Sequence, residues 1–98
     1  MKVISFEKRE PDGGQRFHFQ CPACDCGHFF IIGGKCSWSW NGDAENPTVK
    51  PSIRTWQGNK KDSDYSQCHS FITDGKIKYC GDCTHDMKGQ TVELPDWL

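Results

Sequence analysis

Phe17 and Phe19 alternate with Arg16, His18 and Gln20, the period-2 pattern of a strand with one buried face. Upstream, Val3, Ile4 and Phe6 predict a first strand, closed by the turn-forming run Pro11-Asp12-Gly13-Gly14. Downstream, Phe29 to Ile32 is a continuous apolar run ended by Gly33-Gly34. Cys36, Trp38 and Trp40 then share one face opposite Ser37 and Ser39, which predicts two further strands. The Pro47-Thr48-Val49-Lys50-Pro51-Ser52 segment reads as an extended excursion whose prolines oppose a central strand, with a short strand over Ile53 to Trp56. Gln57 to Gln67 reads as an exposed, mobile loop. The clearest signal is a hairpin, Phe71-Ile72-Thr73 and Lys76-Ile77-Lys78-Tyr79 around Asp74-Gly75. A polar stretch after His85 has room for one helical turn, and Thr91 to Leu94 predicts a last strand.

Composition sharpens this picture. The chain has 98 residues, of which 35% are apolar, but 4 Trp, 6 Phe and 2 Tyr concentrate apolar area in few positions. The 10 Gly and 5 Pro interrupt it too often for long helices. The expectation is a mostly β, small single-domain antiparallel fold over residues 1–98, with a zinc knuckle and little helix. A formal charge of −1, from 12 Lys plus Arg against 13 Asp plus Glu, supplies no broad basic field for nucleic acid. Lys50, Arg54, Lys60 and Lys61 around Trp56 are basic, but Asp62 and Asp64 dilute them. Met1 to Glu10 is charged rather than apolar, and no segment approaches membrane-spanning length, so the expected location is the cytosol. There, 7 Cys are better explained as metal ligands than as disulfides.

Cys21-Pro22-Ala23-Cys24 has the ligand spacing of a zinc knuckle, and sulfur and imidazole recur at Cys68-His69 and between Cys80 and His85. Two ligand sets are open. One is a four-thiolate ribbon of Cys21, Cys24, Cys80 and Cys83, with a spacer far longer than the roughly 15–20 residues of a compact ribbon. The other joins Cys21, Cys24 and His28 to Cys68 or His69. Cys26 and Cys36 read as non-ligands, Cys36 in the core.

The ordered motifs Cys21 to Cys24, Cys26-Gly27-His28, Trp38 to Gly42, Pro47 to Ser52, Cys68 to Ile77, Asp82 to His85 and Gly89 to Pro95 resemble an uncharacterised family of small phage and prophage proteins, often mislabelled as ammonia monooxygenase. The resemblance spans about Phe17 to Trp97. It implies equivalents of Cys21, Cys24, His28, Cys68, His69, Asp82 and His85, whereas the Cys80 position is usually apolar and Cys83 alternates with Ser. This favours the mixed set, with Cys21, Cys24, His28, Cys68, His69 and His85 as metal residues. Some relatives are similar to proteins encoded beside bacterial ubiquitin-like conjugation genes, which implies a hydrolase role.

Three functions follow. The first is a zinc-binding phage or prophage accessory protein in the host bacterial cytosol that binds a host or phage protein. Trp38, Trp40 and Asn41 are its partner-binding candidates, the tryptophans competing with simple core packing. The second is a zinc-dependent peptidase or isopeptidase acting on a ubiquitin-like or other protein. There His69, His85 and either His28 or Cys68 hold the ion, and Asp82 acts as general base or orients a ligand imidazole. A metal-free variant would use Cys68 as nucleophile and His85 as base. Nucleic-acid binding by a zinc protein ranks last.

Overall fold

The computed structural model describes residues 1–35, 38–58, 61, 63 and 65–97. Two antiparallel sheets account for its regular structure. The first holds β1 (Val3–Arg9), β2 (Gln15–Cys21) and β3 (Cys26–Ile32) in chain order. The second holds β4 (Ser39–Trp40), β5 (Val49–Gln57), β6 (Ser66–Thr73), β7 (Lys76–Tyr79) and β8 (Thr91–Glu93), also in chain order. Each strand pairs with the next one along the chain within its sheet, and there is no helix among the described residues. The polar stretch after His85 forms turns instead of the expected helical turn. Among the described residues no helix is long and apolar enough to cross a membrane.

Alternation decides which side chains meet. Val3, Phe19 and Phe30 of the first sheet and Val49, Ile53, Ile72, Ile77 and Tyr79 of the second form one buried cluster with Leu94. A fully buried Phe or Ile contributes about 1.5–3 kcal/mol, so this aromatic-rich cluster carries most of the apolar driving force. Trp38 and Trp40 are partly buried against it, with the Trp40 ring 4.7 Å from Phe17 and 5.8 Å from Phe30. The expected core position of Cys36 lies outside the described residues.

Asp74 and Gly75 both take positive φ, 50° and 78°, the two-residue turn that matches strand twist and fixes the β6–β7 register. The prolines of β5 depart from expectation. Pro51 lies within a strand flanked on both sides, since β4 pairs with Val49 and Lys50 while β6 pairs with Val49 and with Ile53 to Gln57. A bulge reconciles the two. Between the pairs Val49–Ile72 and Ile53–Ser70, β5 places Lys50, Pro51 and Ser52 against Phe71 alone. The ladder therefore never asks Pro51 for an amide hydrogen. The expected loop over 57–67 is shorter than predicted, because β5 runs to Gln57 and β6 begins at Ser66; part of it lies outside the described residues.

Candidate active site and candidate metal centre

β6 divides two chemistries by its pleat. Cys68, Ser70 and Ile72 point inward and are buried, whereas His69 and Phe71 point to the outer face. Across the sheet, Arg54 is the register partner of His69, and Ser52 lies two residues earlier on the same strand face. The bulge at Lys50 to Ser52 re-aims that part of β5 toward His69.

On the outer face, His69 Nε2 lies 2.8 Å from Ser52 Oγ, and His69 Nδ1 lies 3.1 Å from each carboxylate oxygen of Asp82. With Nδ1–H donating to the carboxylate, Nε2 is left to accept the Ser52 hydroxyl proton. The bond to His69 holds the Asp82 carboxyl below the usual carboxylate range, so it stays an anion facing the ring. Asp82 itself is half-exposed and is steadied from β6. Gln67 Nε2 donates to Asp82 Oδ2 at 2.9 Å and to the Asp82 main-chain oxygen at 3.2 Å. Gln67 Oε1 accepts from Arg54 Nε at 3.0 Å, Arg54 Nη2 at 2.9 Å and the Tyr65 hydroxyl. Buried Gln67 thus ties the acid's loop to β5 and β6.

The loop is pinned from its other side as well. Cys83 Sγ donates to the His69 carbonyl at 3.1 Å and accepts from the His69 amide at 3.2 Å, while Thr84 N donates to the Gln67 carbonyl at 3.0 Å. These contacts hold the loop that carries Asp82 against the backbone of Gln67 and His69.

On the inner face, one ligand atom from each of Cys21, Cys24, His28 and Cys68 lies within 4.8 Å of the others. Cys21 Sγ and Cys68 Sγ are 3.9 Å apart; two sulfurs about 2.3 Å from a tetrahedral zinc sit about 3.8 Å apart. His28 Nε2 is buried without a hydrogen-bond partner among the described residues, the signature of an imidazole whose partner is not protein. The Tyr79 hydroxyl accepts from Ala23 N and bonds Cys21 Sγ, both at 3.2 Å. The hydrogen bond with Cys68, then the contacts with His28 and Tyr79, lower the Cys21 thiol from its ordinary range. Cys68, which donates that bond, is pushed up, and burial raises Cys24 to about 11. Three sulfurs and an imidazole in this arrangement fit a metal ion.

Of the remaining candidates, His85 lies with Cys68 and Cys83 in a second three-ligand group, both its ring nitrogens buried and unpartnered among the described residues. Its ring packs edge-on against Tyr79 at 4.7 Å. His69 is not brought to the Cys21, Cys24, His28 and Cys68 group. It lies with Cys80 and Asp82 across the sheet, and both its nitrogens are engaged by Ser52 and Asp82. The structure does not bring Cys80 into the inner group either. Trp38 donates its indole N–H to the Ser52 carbonyl at 3.2 Å, and the Asn41 side chain bridges its own turn through Asn46 O, Asp43 N and Thr48 N.

Sequence reasoning singled out His69 and Asp82 for chemistry but gave no chemical role to Ser52 or Gln67. A serine carries no spacing signature, and its proximity to His69 arises only from cross-strand register plus a bulge. No curated protein and no solved structure matches the chain. A family model described as the bacterial ubiquitination-like system serine protease, BubE, matches residues 2–80, a stretch that contains Ser52 and His69 and stops just before Asp82. That match spans well over half of the sequence, and the chain belongs to the BubE family.

Proposed function

We propose that this chain is a serine protease of a bacterial ubiquitin-like system, with Ser52 as nucleophile, His69 as general base and Asp82 as the carboxylate that orients His69. The observation that carries the reading is the His69 ring bridging Ser52 Oγ and Asp82 through its two nitrogens. The family's description as a serine protease supports it. The roles follow from the geometry. As Ser52 Oγ forms a bond to the scissile carbonyl carbon, its proton passes to His69 Nε2. His69, its Nδ1–H held by Asp82, then gives that proton to the leaving amine as the C–N bond breaks. Water adds to the resulting acyl-Ser52 ester, losing a proton to His69, which returns it to Ser52 Oγ as the new carboxylic acid leaves and gives its own proton to solvent. The natural substrate is a ubiquitin-like protein or its conjugate.

The inner group fits a structural zinc held by Cys21, Cys24, His28 and Cys68. When bound, such an ion crosslinks the end of β2, the turn after it and β6. With four protein ligands, this site is closed. Serine chemistry on the outer face therefore moves hydrolysis ahead of protein binding alone, and it frees Asp82 from a role as base beside a metal. The phage or prophage setting rests on the sequence resemblance.

A fluorophosphonate probe tests the assignment. It is expected to label Ser52 in the wild-type chain, located by peptide mass spectrometry, and to leave Ser52→Ala and His69→Ala unlabelled. Labelling that persists in Ser52→Ala, or hydrolysis that survives this substitution, would overturn it.

A further inference from the structure

β5 is a central strand at one end only. Beyond Lys50, its edge away from β6 has no strand partner among the described residues. The backbone groups on this edge can be identified. His69 sends its carbonyl to Cys80 N and its amide to Cys83 Sγ, so its main-chain groups point away from β5. The Arg54–His69 pair therefore carries no ladder bonds; the neighbouring pairs Ile53–Ser70 and Thr55–Cys68 do. The amides and carbonyls of Arg54 and Trp56 consequently face the open edge. Ser52 agrees, since its carbonyl meets the Trp38 indole on that side.

A cleft of about 510 Å³ lies against the same stretch, with Gly27 and His28 on one wall and Thr55, Trp56 and Gln57 on the other. Proteins ordinarily cover or shorten an open edge. Here the Trp38 indole caps it at the Ser52 carbonyl, and from there to Gln57 no strand covers it among the described residues; only its far end, Thr55 to Gln57, borders the cleft. We infer that the β5 edge from Ser52 to Gln57 is the substrate-binding strand, taking the acyl side of an extended polypeptide as an added antiparallel strand. This deepens the serine-protease reading and rests on it.

Direction follows from topology. A strand antiparallel to β5 runs from Gln57 toward Ser52, so its carboxyl-terminal end arrives at the Ser52 hydroxyl, where an acyl group must be presented. With the scissile residue beside Ser52, the third residue back lies opposite Arg54 and the fifth opposite Trp56, each two-residue step covering about 6.8 Å. Main-chain pairing to Arg54 and Trp56 supplies binding that is independent of substrate sequence. Trp56, 59% exposed, offers an apolar surface to the side chain across from it.

The test uses the full chain as purified and a pentapeptide aldehyde, acetyl-Val-Ala-Val-Ala-alaninal, carrying carbon-13 at the aldehyde. Ser52 Oγ adds to the aldehyde carbon and its proton ends on the hemiacetal oxygen, so no group leaves and carbon NMR reports the adduct. The adduct is expected to slow hydrogen exchange at the Arg54 and Trp56 amides by at least about tenfold. N-methylation of the central Val, which faces Arg54, is expected to weaken inhibition by at least about tenfold, whereas N-methylation of either neighbouring Ala leaves it within about twofold. An adduct on Ser52 without protection at Arg54 and Trp56, or with equal sensitivity at all three methylated positions, would overturn the edge assignment and leave the catalytic one standing. Failure to form any adduct, together with no fluorophosphonate labelling, would overturn both.

Discussion

The two faces of β6 hold sites of opposite kind, one completed by protein atoms and one that is not. On the outer face His69 has a partner at each nitrogen, and Gln67 satisfies the acid that orients it. On the inner face, His28 Nε2 and both nitrogens of His85 are buried without partners among the described residues, beside clustered sulfurs. A group that already closes its hydrogen bonds is ready for proton transfer. One that leaves donors and acceptors open in the interior is prepared for an ion, because burying them unsatisfied costs about 1–3 kcal/mol each. The same alphabet of Cys, His and Asp thus supplies a hydrogen-bonded set on one side and an ion-fitting set on the other.

Separating the faces by substitution would test this division. The largest effect is expected from Cys21→Ser. Binding energies of about 10–16 kcal/mol for structural zinc in small peptides are comparable to or exceed the about 5–15 kcal/mol that hold a typical domain together. This variant should lose its metal and its cooperative thermal transition, measured by elemental analysis and calorimetry; a folded, metal-replete variant would deny the inner face its structural role. Ser52→Ala should lower kcat by about 10⁶-fold while metal content and Tm stay at wild-type values. Loss of fold there would make the outer face structural too.

Asp82→Asn should cost up to about 10⁴-fold in kcat, less than Ser52→Ala, because the half-exposed carboxylate orients the base rather than reacting. Gln67→Ala removes a buried side chain that anchors the Asp82 loop. We expect about a tenfold lower kcat together with a loss of about 1–3 kcal/mol in stability, read from denaturant titration. Intact kcat with reduced stability would assign Gln67 to the fold alone. Cys80→Ser should be the mildest, keeping metal content and activity within about twofold, and loss of metal would restore the four-thiolate ligand set.

Most strands were legible because alternation is a local property. Phe17 and Phe19 announce β2, and Asp74-Gly75 announces the β6–β7 hairpin within a few residues of chain. The sulfur and imidazole of the inner group were legible too, because Cys-x2-Cys is a local spacing. Sequence groups His69 and Asp82 with metal chemistry but cannot tell on which face each lies; with Cys80 they form a three-ligand group of their own, apart from the inner one. Ser52 stayed hidden because two non-local facts define it, the cross-strand register and the bulge that Pro51 occupies. The prolines that argued against a central strand mark the bulge that aims the serine. Gln67 was equally silent, since a buried glutamine reveals its role only through the five partner atoms around it.

The adjacency of Cys68 and His69 carries a consequence for how such a chain can diverge. Neighbouring residues on a strand are bound to opposite faces, so insertion or deletion of one residue within β6 exchanges every inward and outward position at once. Ser66, Phe71 and Thr73, which are exposed, can each be substituted without that exchange. A change in the length of β6 between the hairpin and Cys68 would instead displace the inner-group sulfur and the His69 ring in a single event.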